Sequence, residues 1–296
     1  MLDKRTVLVL GAGASKPYGL PLGFELRDAV LGDATSVVFR TRRGSSSGSR
    51  HEFEAFCRDL AESGFSSVDA YLEQRPTWTE IGKSTMALCL LSSECKAKDR
   101  LFPPHQPKDH WYEVLWSCLR APSWHAFKAQ PVSIVTFNYD RSLEHYLTRV
   151  LSNNYRIKAD TVKRALPILH VHGSLGEYEG VFGESASETY FTAAAGSIRV
   201  VHEADTEDVG FIQAREWISA AQRVVFVGFG YHDANMRKLG FEGWHTTAHY
   251  DRTVAGTHKG IRAAAWFWLC RKYGFSPQAA KGGAGSMSEF VAGSLA

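Results

Sequence analysis

The sequence predicts an α/β fold, an open doubly wound parallel sheet with an all-helical insertion after the first βα unit. Three observations predict it. Four short apolar runs, Val7-Leu8-Val9-Leu10, Val132-Ser133-Ile134-Val135-Thr136, Ile168-Leu169-His170-Val171 and Val224-Val225-Phe226-Val227, have the length and apolarity of strands buried on both faces. Stretches with apolar residues three and four apart separate the later runs, as in βαβ units. Each run leads into glycine, asparagine or histidine, and ligands of such sheets bind outside the carboxyl ends of the strands.

The first strand enters Gly11-Ala12-Gly13-Ala14-Ser15, a turn of small side chains. It would let an anion such as a pyrophosphate approach the N–H groups at the mouth of a following helix, where the macrodipole favours negative charge. An ordinary strand-to-helix turn has the same composition. Gly19-Leu20-Pro21 then turns the chain into a helix over 23–31. Residues 40–50, RTRRGSSSGSR, read as a mobile loop; its four arginines fit a solvated basic linker better than a phosphate-backbone contact. Over 51–128 the pattern is helical, carried by Phe53, Phe56, Leu60, Val68, Tyr71 and Leu72, then Ile81, Met86, Leu88 and Leu91, and by Trp111, Leu115 and Trp116 in a helix over 109–119. Its aromatic content reads as core. Helices over 142–151, 209–221 and 260–273 and an edge strand over 197–201 follow, and the Ala/Gly/Ser-rich tail 276–296 is expected to be poorly ordered. The chain thus divides into a sheet core (1–39 and 129–275), a helical insertion (51–128) and flexible segments (40–50 and 276–296), all in one domain.

An apolar fraction of 44% and a charged fraction of 22% are ordinary for a globular chain of 296 residues. With 34 basic and 31 acidic residues the net charge of +3 gives no general footprint for nucleic acid. The five cysteines include no C-x-x-C pair, so neither a zinc site nor a disulfide framework is expected, and no metal. Asp3-Lys4-Arg5 precedes the first strand without a signal-peptide core, and no run reaches the roughly 20 apolar residues of a membrane span. A cytoplasmic protein without membrane contact is expected.

Five segments stand in a suggestive order: Gly11 to Ser15, Gly19-Leu20-Pro21, Thr136-Phe137-Asn138-Tyr139-Asp140, Val171-His172-Gly173-Ser174 and Val227-Gly228-Phe229-Gly230. Together they resemble the SIR2-like family, the NAD-binding Rossmann-like fold of sirtuins and of prokaryotic defence proteins. The resemblance covers the sheet portion, and no motif of it falls in 51–128. It implies that Gly11, Ala12, Gly13 and Ser15 line the pyrophosphate and adjacent ribose, and that Leu20 and Pro21 close over the nicotinamide. Asn138 would hold the nicotinamide ribose or a water near its anomeric carbon, with Thr136 and Phe137 of the same motif also contacting NAD. Asp140 would bond the nicotinamide amide, and His172 would be the general base. Gly228, Phe229 and Gly230 would pack by the adenosine ribose.

These residue types suit cleavage of the nicotinamide N-glycosidic bond. Positive charge builds on the ribose, so the site needs oriented oxygen acceptors more than a strong acid. Nicotinamide leaves readily, and an imidazole can take a proton from the incoming nucleophile at neutral pH. Simpler roles fit the same residues: Asn138 and Asp140 suit caps of the following helix, and His172 suits a turn. His170, on the same strand face, is the alternative base. His145, His232 and His245 read as surface or structural. Two departures count against acyl-peptide chemistry: no cysteine lies between Cys118 and Cys270, where deacylating sirtuins carry a four-cysteine zinc module, and Leu22-Gly23-Phe24 replaces their Asp-Phe-Arg. Water is then the nucleophile. The expected function is NAD+ hydrolysis to ADP-ribose and nicotinamide, in anti-phage defence by NAD depletion. The alternatives are a non-catalytic NAD- or ADP-ribose-binding subunit and, further off, an NAD-dependent protein deacylase. Such an activity needs restraint, which implies a homo-oligomer or a separately encoded partner, an ATPase or an Argonaute-like protein, with the insertion as contact surface.

Overall fold

The computed structural model describes residues 2–32, 47–176, 182–183, 188–200, 208–241, 252–275 and 285–296. Strand β1 (Thr6–Leu10) is buried throughout because it lies at the centre of a five-stranded sheet. It pairs in parallel with β2 (Val132–Thr136) and with β4 (Arg223–Val227), Leu8 standing beside Ile134 on one side and Val225 on the other. Strand β3 (Ile168–His170) adds in parallel to β2, and β5 (Thr253–Gly256) to β4. The order β3-β2-β1-β4-β5 is that of a Rossmann-like doubly wound sheet, as the sequence predicts. The order reverses between β1 and β4, so the crevice at their carboxyl ends is the topological switch point.

Alternation along the strands divides the core. Leu8, Leu10, Ile134, Val225 and Val227 face a layer containing α6 (Trp111–Leu119), α8 (Ser142–Tyr155) and α14 (Met287–Leu295). Val7, Val9, Val135, Val224 and Phe226 face α11 (Val209–Ala220) and α13 (Ala263–Tyr273). A separate core joins α2 (Gly23–Leu31), α3 (Ser47–Glu62), α4 (Val68–Gln74), α5 (Thr79–Ala97) and α10 (Glu188–Ser197). The predicted insertion is therefore shared. Its first three helices pack with α2 and α10, whereas α6 lies on the sheet. Short helices α7 (Trp124–Lys128), α9 (Ala159–Ala165) and α12 (Asp233–Lys238) complete the layers.

Several expectations are corrected. No edge strand occupies 197–200; Ser197 ends α10, and Ile198 makes one isolated bridge with Gly173. Residue 201 lies outside the described residues. The edge strand on the far side of the sheet is β5, only four residues long and therefore without a readable alternation. Residues 47–50 begin α3, while 40–46 lie outside the described residues. The tail is not loose where it is described. Phe290, Val291 and Leu295 of α14 are buried, and Asp109 accepts bonds from Ser286 Oγ (2.9 Å), Met287 N (2.8 Å) and Ser288 N (2.8 Å) at its amino end.

Candidate functional site

The small-residue turn forms a single helical turn, α1 (Ala12–Ser15), followed by a tight turn that ends at Gly19 with φ +93°. One turn does not build the macrodipole expected of a longer helix. Its amides are also engaged: Gly11 N donates to Val227 O (3.0 Å), Gly13 N to Gly228 O (2.9 Å) and Ala14 N to Gly11 O (2.9 Å). The glycines follow from that contact. A Cβ on Gly11 or Gly13 would come within 2.6 or 2.7 Å of the Gly228 backbone, and one on Gly228, at φ +60°, within 2.0 Å of Ala14 N. Thr257 Oγ1, at the end of β5, accepts the Gly228 amide at 2.7 Å. Ala12 and Gly230 are exposed at the rim, Phe229 is buried in the core, and Leu20 is buried against the sheet with Pro21 half-buried beside it.

Four predicted residues converge at the carboxyl ends of β1 and β2. Ser15, Thr136, Asn138 and Asp140 line one cavity of about 10 Å³, together with Leu10, Tyr112, Leu143, Glu144 and Ile168. That is room for about one water, so a nicotinamide or a ribose enters only if the lining moves. A larger opening of about 340 Å³, walled by Arg5, Gln130, Ser133 and Trp217, lies at the opposite, amino end of the sheet, remote from every motif.

The Asn138 side chain crosses from β2 to β1: Nδ2 donates to Ser15 Oγ at 3.0 Å, and the backbone N donates to Thr136 Oγ1 at 3.1 Å. Asn138 is 8% exposed, and its Oδ1 is buried without a hydrogen-bond partner. It does not cap α8. Arg141 holds the cap position, and Asp140 Oδ1, one residue before it, accepts the first helical amide, Ser142 N, at 3.1 Å and also Ser142 Oγ. Burial pushes the Asp140 carboxyl up, against the pull of the Ser142 and Ser15 hydroxyls.

His172 takes a different position. Its ring packs edge-on to Phe137 (5.3 Å) and Phe211 (5.4 Å), on the face of the sheet that Phe229 and α11 cover, and it does not line the Asn138 cavity. Burial, with Lys238 and Arg199 adding to it, lowers its pKa to about 4, so the ring is neutral at physiological pH. Nδ1 is buried without a partner. Phe137 and Asn138, adjacent in the chain, thus serve opposite faces, and the two candidate catalytic side chains stand on different sides of the sheet edge. His170 stands by Asn138 instead: its Nδ1 lies 2.7 Å from the Asn138 carbonyl oxygen and its Nε2 meets Glu144.

The sequence reading missed three contributors. Tyr112, from α6, brings its hydroxyl to Ser142 Oγ (2.7 Å) and stacks on Tyr18 at 4.0 Å. Glu94 of α5 and Arg141 form a fully buried ion pair at 2.5 Å, and Arg141 also meets Tyr190 of α10. Tyr139 donates to Asp69 of α4 at 2.5 Å. No local pattern marks these residues, because each contact joins segments far apart in the chain. No helix among the described residues is long and apolar enough to cross a membrane, and no group of three or more metal-ligating side chains occurs among them. No known family model matches the chain, and no curated protein matches its sequence.

Proposed function

We propose that the chain is an NAD+ glycohydrolase of the SIR2-like type, cleaving NAD+ to nicotinamide and ADP-ribose. The observation that carries this reading is the Asn138 amide, anchored by Ser15 with Oδ1 buried and unpartnered, in the wall of a small cavity at the carboxyl end of a doubly wound sheet. An oriented neutral acceptor there suits a hydroxyl or water beside a developing oxocarbenium ion. Neutral His172 would accept the nucleophile's proton once the edge of the sheet opens to bring both side chains to one substrate. Anti-phage defence by NAD depletion, in a cytoplasmic homo-oligomer or with an ATPase or Argonaute-like partner, is the cellular role that the motif resemblance supports.

A non-catalytic NAD- or ADP-ribose-binding subunit is the second reading. The separation of His172 from Asn138 favours it. A mass-spectrometric time course of the chain with NAD+ separates the two. Accumulating nicotinamide and ADP-ribose support hydrolysis, whereas NAD+ that is bound and recovered intact supports the binding module. Nicotinamide release only in the presence of an acylated peptide would point to a deacylase.

A further inference from the structure

His170 ends β3 beside Thr136 of β2, and its ring bridges two segments of the site. On one side Nδ1 lies 2.7 Å from the Asn138 carbonyl oxygen, which has no proton to give, so Nδ1 must donate. On the other side Nε2 meets the Glu144 carboxylate, itself a wall of the Asn138 cavity. A ring with acceptors at both nitrogens is satisfied as an imidazolium. Both side chains are largely buried, at 14% and 15% exposure, which strengthens the pair relative to one in water.

We propose that His170 and Glu144 are positioning residues for Asn138: an imidazolium-carboxylate pair that fixes the Asn138 backbone carbonyl and so aims the side-chain amide into the cavity, a grip that weakens when the ring loses its charge. The catalytic part of this inference rests on the hydrolase reading above; the charged pair and its grip on Asn138 do not. The surroundings agree. Burial opposes charge on the ring, but Glu144 from α8, the Asn138 carbonyl and Asp140 from the same loop outweigh it and raise the pKa above that of a free histidine. Neighbouring β2 presents Thr136, which does not titrate, and the Asp208 carboxylate lies by Gly210 of α11, near the His170 backbone oxygen. Two nearby histidines are thus set apart, with the Glu144 pairing favouring charge on His170 on the Asn138 side and burial keeping His172 neutral on the other.

The test is an NMR titration of the isotope-labelled chain and of Glu144→Gln, run beside a pH profile of nicotinamide release. In the unmodified chain His170 is expected to be doubly protonated at neutral pH, and the Asn138 amide resonances to shift with the same midpoint as its deprotonation. Glu144→Gln should move both midpoints to lower pH. Release should fall on the alkaline limb with that midpoint, and Glu144→Gln should slow it about tenfold at neutral pH, the rate equivalent of one charge-assisted hydrogen bond. A neutral His170 at neutral pH, or Asn138 resonances indifferent to its titration, would overturn the proposal. If the unmodified chain releases no nicotinamide at any pH, the hydrolase reading falls, while the two NMR signals still decide the pair.

Discussion

At the scale of the residue, the strand-end glycines have a packing reason of their own. Gly11, Gly13 and Gly228 are small because two strand-end turns meet backbone to backbone, a reason independent of any ligand. Gly228→Ala should therefore destabilise the fold by more than the about 1–2 kcal/mol of left-handed backbone strain alone. Gly293→Ala, in an exposed helical position with open space around it, should stabilise by up to about 1 kcal/mol. Denaturant unfolding of the two variants checks the contrast. His172 makes a second expectation. Its pKa is about 6.5 in the unfolded chain and about 4 in the folded one, so between those values the unfolded state binds more protons and acid favours unfolding. Stability should fall as pH drops through that window, by about 3 kcal/mol from this group, and His172→Gln should flatten the slope. The sequence puts Asn138 and Asp140 just beyond the end of one strand, and both line the same small cavity. It did not separate their contacts: only the bond to Ser15, 123 positions away, tells the crossing amide from the carboxylate that accepts the first amide of α8.

At the scale of the element, the helical insertion is tied into the site by buried polar contacts. Glu94→Ala would leave the Arg141 guanidinium buried without its carboxylate and should cost about 3–5 kcal/mol, while replacing both partners by apolar residues of similar volume should cost much less. A double-mutant cycle measured by unfolding decides this. The docking of α14 is held by Asp109, one residue before His110, whose Nδ1 lies 3.0 Å from Tyr18 Oη, and three before Tyr112 of the cavity wall. Asp109→Ala should cost about 1 kcal/mol as a lost cap and remove hydrogen-exchange protection over 287–295. That helix was legible after all. Ser286 and Glu289 have the spacing of a capping box, and Phe290, Val291 and Leu295 form an apolar stripe, but an Ala/Gly/Ser-rich context masked both. β5 was not legible. Thr253-Val254-Ala255-Gly256 is too short for a pattern, and only its pairing with β4 makes it a strand.

At the scale of the whole molecule, the strands declared themselves because a parallel sheet covered on both faces must be built from unbroken apolar runs. Their order did not, since it depends on which long-range pairs form, and it is this order that puts the switch point between β1 and β4. The same sheet edge holds the Ser15-Asn138-Asp140 cluster on one face and His172 on the other, so the proposed hydrolysis would require the edge to open around its substrate. The direct measurement is the rate of nicotinamide release from NAD+ by the purified chain, by Asn138→Ala and by His172→Ala, alone and with candidate partners. Release by the parent, with a loss of at least about a hundredfold in each variant, is the expected result, in line with removal of a transition-state donor or a positioned base. Variants that hydrolyse NAD+ as fast as the parent would contradict the account.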